Sequence, residues 1–157
     1  MKRHFGKWLA AAVLAVGCTT ITAGAFTDTT GHWAESAINK WSQEYGIIQG
    51  YDDGTFRPDN SITRGAFAGI LDRFLHFQET SPASTFSDTA GTYWEDAILK
   101  LHASGVYLGN QGKALSASTI TRQQAVAMIG RAFNIPLETT SVSYSDGSSI
   151  AEYALPM

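Results

Sequence analysis

The chain repeats itself, and that constrains its fold more than any other feature. "FTDTTGHWAESAINKW", Phe26 to Trp41, aligns without a gap on "FSDTAGTYWEDAILKL", Phe86 to Leu101. The alignment pairs Phe26 with Phe86, Asp28 with Asp88, Gly31 with Gly91, Glu35 with Glu95 and Ala37-Ile38 with Ala97-Ile98. With two single-residue deletions, Gly46 falls on Gly105, Gly50 on Gly109, Gly54 on Gly112, and Ile62-Thr63-Arg64 on Ile120-Thr121-Arg122. A third copy opens at "YSDGSSIAEYALPM", with Asp146 in the position of Asp28 and Tyr153-Ala154 reading as Trp33-Ala34. The units are residues 26–80, 84–138 and an incomplete 142–157, as expected of a gene that stops there or of a piece of a longer protein. Their period is longer than that of most solenoid repeats.

Each unit reads locally in the same way. Apolar residues at Ala34, Ala37, Ile38, Trp41 and Tyr45 recur at three and four positions, the pattern of an amphipathic helix with its core face toward Trp41. Gly46 and Gly105 stand where such a helix ends in a left-handed residue. A turn-rich segment follows, "IIQGYDDGTFRPDNS", whose Pro58 excludes a central strand. A second helix then presents Phe67, Ile70, Leu71 and Phe74, matched by Val126, Ile129, Ala132 and Phe133. The fold class is therefore mainly α. A single helix-loop-helix unit cannot bury its own stripe, so neighbouring units must pack, with the second helices meeting in the centre.

The first 25 residues form a distinct segment. Lys2, Arg3 and Lys7 precede an apolar run from Trp8 to Gly17 and a small-residue end at Ala23-Gly24-Ala25, a secretory signal peptide with a mature start near Phe26. The run is too short for a membrane anchor. Cys18 after Gly17 suggests lipid attachment, but Ala15 and Val16 fit that motif poorly, and loss of the cysteine with the signal is the simpler reading. Cleavage removes three of 11 basic residues and none of the 14 acidic ones, leaving 8 against 14 and a net charge of −6. Such an acidic chain lacks the basic surface that nucleic acid requires.

"FTDTTGHWAESAINKW", "GIIQGYDDGTFRPDNSITR" and the helix after them resemble the S-layer homology domain, and the second unit and the stub resemble the next members of the family's usual triplet. The resemblance covers Phe26 to Met157. It implies a pseudo-threefold bundle of helix-loop-helix units, here with the third incomplete, and a non-catalytic module secreted to the bacterial cell surface. Grooves between units would hold a secondary cell-wall polysaccharide, often through a pyruvate ketal. The ketal carries a carboxylate, and a guanidinium offers the planar fork of donors that fits one. Carried onto this sequence, Arg64 and Arg122 become the anion contacts, Trp33 and Tyr93 the aromatic walls for a sugar face, and Gly50 a point of close approach. The start of each second helix would lend backbone donors to the same anion. The family's Thr-Arg-Ala-Glu is Thr63-Arg64-Gly65-Ala66 here, without the glutamate that closes a capping box, whereas Gln124 can close one in the second unit. The first of these helix starts is thus expected to be the looser, and Arg122 the better-held arginine. A C-terminal effector domain, or an effector partner, would lie outside this chain.

Plainer readings compete with these. Aspartates ahead of a helix most often cap or turn the chain, which accounts for Asp28, Asp88 and Asp146. Arg64 and Arg122 could serve as surface ion-pair donors. Glycoside hydrolysis needs two carboxylates, and Asp28 with Glu35 recurs as Asp88 with Glu95, which suits a structural repeat better than an active site. No nucleophile motif or paired metal-ligand histidines appear, so no catalytic residue, metal site or cofactor is expected. A protein-interaction module on the cell surface is the main alternative, and a glycan-cleaving enzyme a weaker one.

Overall fold

The computed structural model describes residues 26–136 and 144–154. The signal segment with Cys18, and most of the second linker, lie outside the described residues. The described chain is mainly helical and contains no strand, only isolated bridges such as Thr63 with Thr119. Helix α1 spans Glu35–Asn39 and runs on into a π-helical turn, Lys40–Glu44; α2 is Arg64–Leu75, α3 Glu95–Ala103 and α4 Arg122–Ala132. Short 3-10 turns follow at Gly147–Ser149 and Glu152–Ala154. None of the described helices is long and apolar enough to cross a membrane.

The units interlock out of phase with the sequence repeat. Helix α2 of the first unit packs on α3 of the second, and α4 of the second packs on the Glu152–Ala154 turn of the third. The core lies at the first of these seams: Ala68 and Leu71 from α2, Ile98, Leu99 and Leu101 from α3, and Val106, Tyr107, Ala114 and Met128 from the rest of the second unit. Lys100 reinforces it, lying 2.6 Å from Asp96 on its own helix and 3.7 Å from Asp72 on α2. The second helices meet at their ends rather than along their length. Phe74 and Phe133 approach with ring centres 6.1 Å apart, and the bridge between Thr63 and Thr119 ties the starts.

This stagger corrects two expectations about the core. Trp41 and Tyr45 are 39% and 52% exposed, because no second helix among the described residues lies against α1 as α2 lies against α3. Only Ile38 of that stripe is buried. Likewise Val126, Ile129 and Phe133 on α4 are exposed, and Met128 is the buried residue.

The loops are fixed by the paired aspartates. Asp28 accepts from the amides of Phe56 (2.8 Å) and Arg57 (2.7 Å); Asp88 accepts from those of Ala114 (2.7 Å) and Leu115 (2.9 Å). The aspartates therefore clamp the far limb of their own unit's loop and do not cap the helix that follows. The helix start is held instead by Glu35, whose carboxylate accepts from the Gly31 amide, as Glu95 does from Gly91. Arg57 and Leu115 occupy the left-handed region at φ 59 and 56. That conformation costs a side-chain-bearing residue about 1–2 kcal/mol, and the two amide bonds to each aspartate hold it. Gly46 and Gly105 are left-handed as expected, at φ 65 and 72.

Candidate functional site

Both second helices begin at a threonine cap. Thr121 and Gln124 close the reciprocal capping box of α4, and Thr63 accepts from the Ala66 amide at 3.2 Å. The first unit does not have the loose start its sequence suggests. The Arg64 and Gly65 amides donate to the carbonyls of Ser118 and Ser116, both at 2.9 Å, so the second unit supplies the acceptors that a capping glutamate would not. Those donors are consumed, and an anion at this helix start would meet the Arg64 side chain rather than the backbone.

Gly65 has a second reason to be glycine. A Cβ there would collide with the Trp94 indole, as would one at Gly69 a turn later, and both positions are buried. Trp94 stands where the first unit has Ala34, so a large residue on α3 is accommodated by two glycines on the facing α2. Gly50 has a similar role inside its unit: the Phe26 ring fills the space a Cβ would need, as Phe86 does at Gly109.

Two grooves open at the seams, and they are equivalent under the repeat alignment. The first encloses about 480 Å³ between the loop at Ile48, Gly50 and Tyr51, the α2 residues Ala66, Ile70 and Arg73, and Tyr93-Trp94 of the next unit. The second encloses about 330 Å³ between Tyr107, Gly109 and Asn110, the α4 residues Gln124, Met128 and Arg131, and Tyr153 of the third unit. Arg64 reaches this second groove from the unit before. Each groove thus has a loop, a second helix and an aromatic from the following unit.

Arg64 is only 9% exposed. Its Nε donates to the Tyr107 hydroxyl and the Ala114 carbonyl, each at 3.2 Å, and its guanidinium carbon lies 5.0 Å from the centre of the Tyr107 ring. Tyr107 in turn donates to Ala114 at 2.6 Å. Burial pushes the phenol's pKa up against the opposing pull of Arg64, so it stays a neutral donor. Arg64 lines the groove together with Arg131, and among the described residues no carboxylate lines it. Arg131 donates from its Nη2 to the Tyr153 carbonyl in a long, exposed hydrogen bond of 3.4 Å.

The five residues named from sequence are thereby distributed. Gly50 and Tyr93 line the first groove and Arg64 the second. Trp33 is 89% exposed and Arg122 is exposed, and neither lines a groove among the described residues. Tyr107, Gln124, Arg131, Tyr153, Arg73 and Trp94 are wall residues the sequence reading passed over. One signal could have found two of them: an arginine follows Ile-Thr-Arg at the same offset in both units, Arg73 and Arg131. No group of three His, Cys, Asp or Glu able to hold a metal occurs among the described residues.

Two helical units interlocked at a seam, with a groove walled by the aromatic of the following unit, define a class of helical repeat module. The family model of the S-layer homology domain matches residues 25–68, and the chain carries that domain. A cellulosome-anchoring protein of Acetivibrio thermocellus is 34% identical over 73% of this chain. The outer membrane protein SlpA of Deinococcus radiodurans is 34% identical over 78%, and an amylopullulanase of Thermoanaerobacterium thermosulfurigenes 25% over 82%. The matched region is a small part of each relative, 27%, 11% and 7% of their lengths.

Proposed function

We propose that the chain is a non-catalytic anchoring module of the bacterial cell surface, and that the groove carrying Arg64 binds an acidic sugar of a secondary cell-wall polysaccharide, such as a pyruvate ketal. The convergence of Arg64 and Arg131 on one concave groove, with no carboxylate among its described lining residues, is the observation that carries this reading. A planar guanidinium held by Tyr107 and Ala114 is pre-organised for a carboxylate, and Tyr153 lines the same groove as an aromatic residue for the sugar. With a mature charge of −6 the chain gains nothing from long-range attraction to a polyanion, so recognition is local. The names of the relatives support anchoring, one being a cellulosome-anchoring protein. The amylopullulanase shares only a segment equal to 7% of its length, which supports an accessory part held in common rather than a catalytic one.

Sedimentation with purified walls tests the reading. The mature chain should pellet with intact walls and remain in solution with walls stripped of their secondary polymer. Equal pelleting with stripped walls would refute it and favour a protein contact, and release of soluble glycan would favour an enzyme.

A further inference from the structure

Arg64 is a buried cation, and among the described residues no carboxylate lies within ion-pair distance of it. Charge taken out of water needs compensation. A single peptide group supplies it. The carbonyl between Ala114 and Leu115 accepts from the Arg64 Nε at 3.2 Å and from the Tyr107 hydroxyl at 2.6 Å, and the amide of that same peptide, on Leu115, donates to Asp88 at 2.9 Å. The other Asp88 oxygen takes the Ala114 amide at 2.7 Å, which pins both loop residues. A carboxylate on the N–H side of a peptide polarises it and makes its carbonyl a stronger acceptor for a cation. The Asp88 charge acts on this cluster: it adds to the burial that raises the Tyr107 phenol.

The first unit provides an internal comparison. Asp28 holds the amides of Phe56 and Arg57 just as Asp88 holds those of Ala114 and Leu115. There, however, Ile48 stands in the place of Tyr107, and no arginine donates to the Phe56 carbonyl among the described residues. From this contrast we infer that Asp88, beyond clamping its own loop, is a positioning residue for Arg64 of the preceding unit, serving as its counter-charge through the Ala114-Leu115 peptide. Asp28 has the clamping role alone. The consequence for an anion in the groove rests on the reading above, but the link from Asp88 to Arg64 exists without a ligand.

The test accordingly uses the mature chain alone. NMR of the arginine side chains, with Arg64 assigned through Arg64→Lys, reports how fast its Nε proton exchanges with water. Asp88→Asn should speed that exchange by about tenfold or more, as for a weakened charge-assisted hydrogen bond. Asp28→Asn, which breaks the equivalent clamp at a separate site, should leave it within about twofold of wild type. Urea unfolding supplies a second measure. Arg64→Met removes the cation, and it should raise the unfolding constant about tenfold less in an Asp88→Asn background than in wild type, because the stranded charge goes with it. In an Asp28→Asn background its effect should match that in wild type. If Asp88→Asn alone does not fold, folding restored by adding Arg64→Met supports the inference, and failure to restore it overturns it. Equal exchange of the Arg64 proton in the two asparagine variants also overturns it, as does an Arg64→Met effect that is the same in every background. A chain that passes these tests and does not bind walls keeps the Asp88 role and sinks the glycan reading instead.

Discussion

A methyl group at position 65 would meet the indole of Trp94. Glycine inside a helix costs up to about 1 kcal/mol relative to alanine, so propensity alone favours Gly65→Ala. The packing predicts the opposite sign, a loss of about 1–3 kcal/mol from overfilling a buried seam. Urea unfolding of Gly65→Ala, Trp94→Ala and the double variant checks it: the two losses should fall well short of adding, because removing the indole frees the space the new methyl needs. An additive pair, or a stabilised Gly65→Ala, would mean the indole does not dictate the glycine. Nothing in the sequence of either helix alone discloses this pairing. Gly65 reads there as a weakness, and only the half-repeat stagger brings position 94 onto it.

The elements are held by charges that titrate. Asp28 lies below the usual carboxylate range, chiefly because the Phe56 amide donates to it. For Asp88, burial pushes upward, and the amides of Ala114 and Leu115 outweigh it, leaving the pKa below its usual 3.8. Hydrogen bonds from the Thr55 hydroxyl and amide and from Arg57 take Asp53 down to about 2. A carboxylate whose folded pKa is depressed stabilises fully above its unfolded pKa, and that contribution is lost as pH falls through the folded value. Thermal melts followed by circular dichroism should therefore show Asp88→Asn less stable than wild type at pH 7, with the gap closing as pH falls below 3.8. A gap that does not change with pH would contradict the clamp's dependence on charge. At the helices, Leu101→Ala on α3 should cost about 2–5 kcal/mol as a core truncation. Val126→Ala on α4 should stay within about 0.5 kcal/mol, because that face is 61% exposed. The apolar spacing of the second helices is legible in sequence; which of their stripes is covered is not, since that depends on the neighbour each unit meets.

At the scale of the whole molecule, the repeat alignment alone reveals the mainly helical units, the equivalence of the Thr-Arg helix starts and the left-handed Gly46 and Gly105. What it cannot reveal is the phase of assembly. A side chain such as Arg64 acts in the groove of the next unit, and Tyr93 or Tyr153 walls the groove of the unit before, so residues adjacent in one sequence motif serve different sites. Hence Arg122, the better capped of the two arginines by sequence, is exposed and lines neither groove among the described residues, while Arg64 stands seated in one. The threefold bundle implied by the family resemblance extends beyond what two units and the opening of a third display. Calorimetric titration of the mature chain with a ketal-bearing wall oligosaccharide, and with the same oligosaccharide after removal of the ketal, tests the Arg64 groove as an acidic-sugar site. Binding should require the ketal, weaken by about tenfold or more in Arg64→Lys through loss of the planar fork, and stay within about twofold of wild type in Arg122→Ala. Undiminished binding by Arg64→Lys, with a loss in Arg122→Ala, would contradict it.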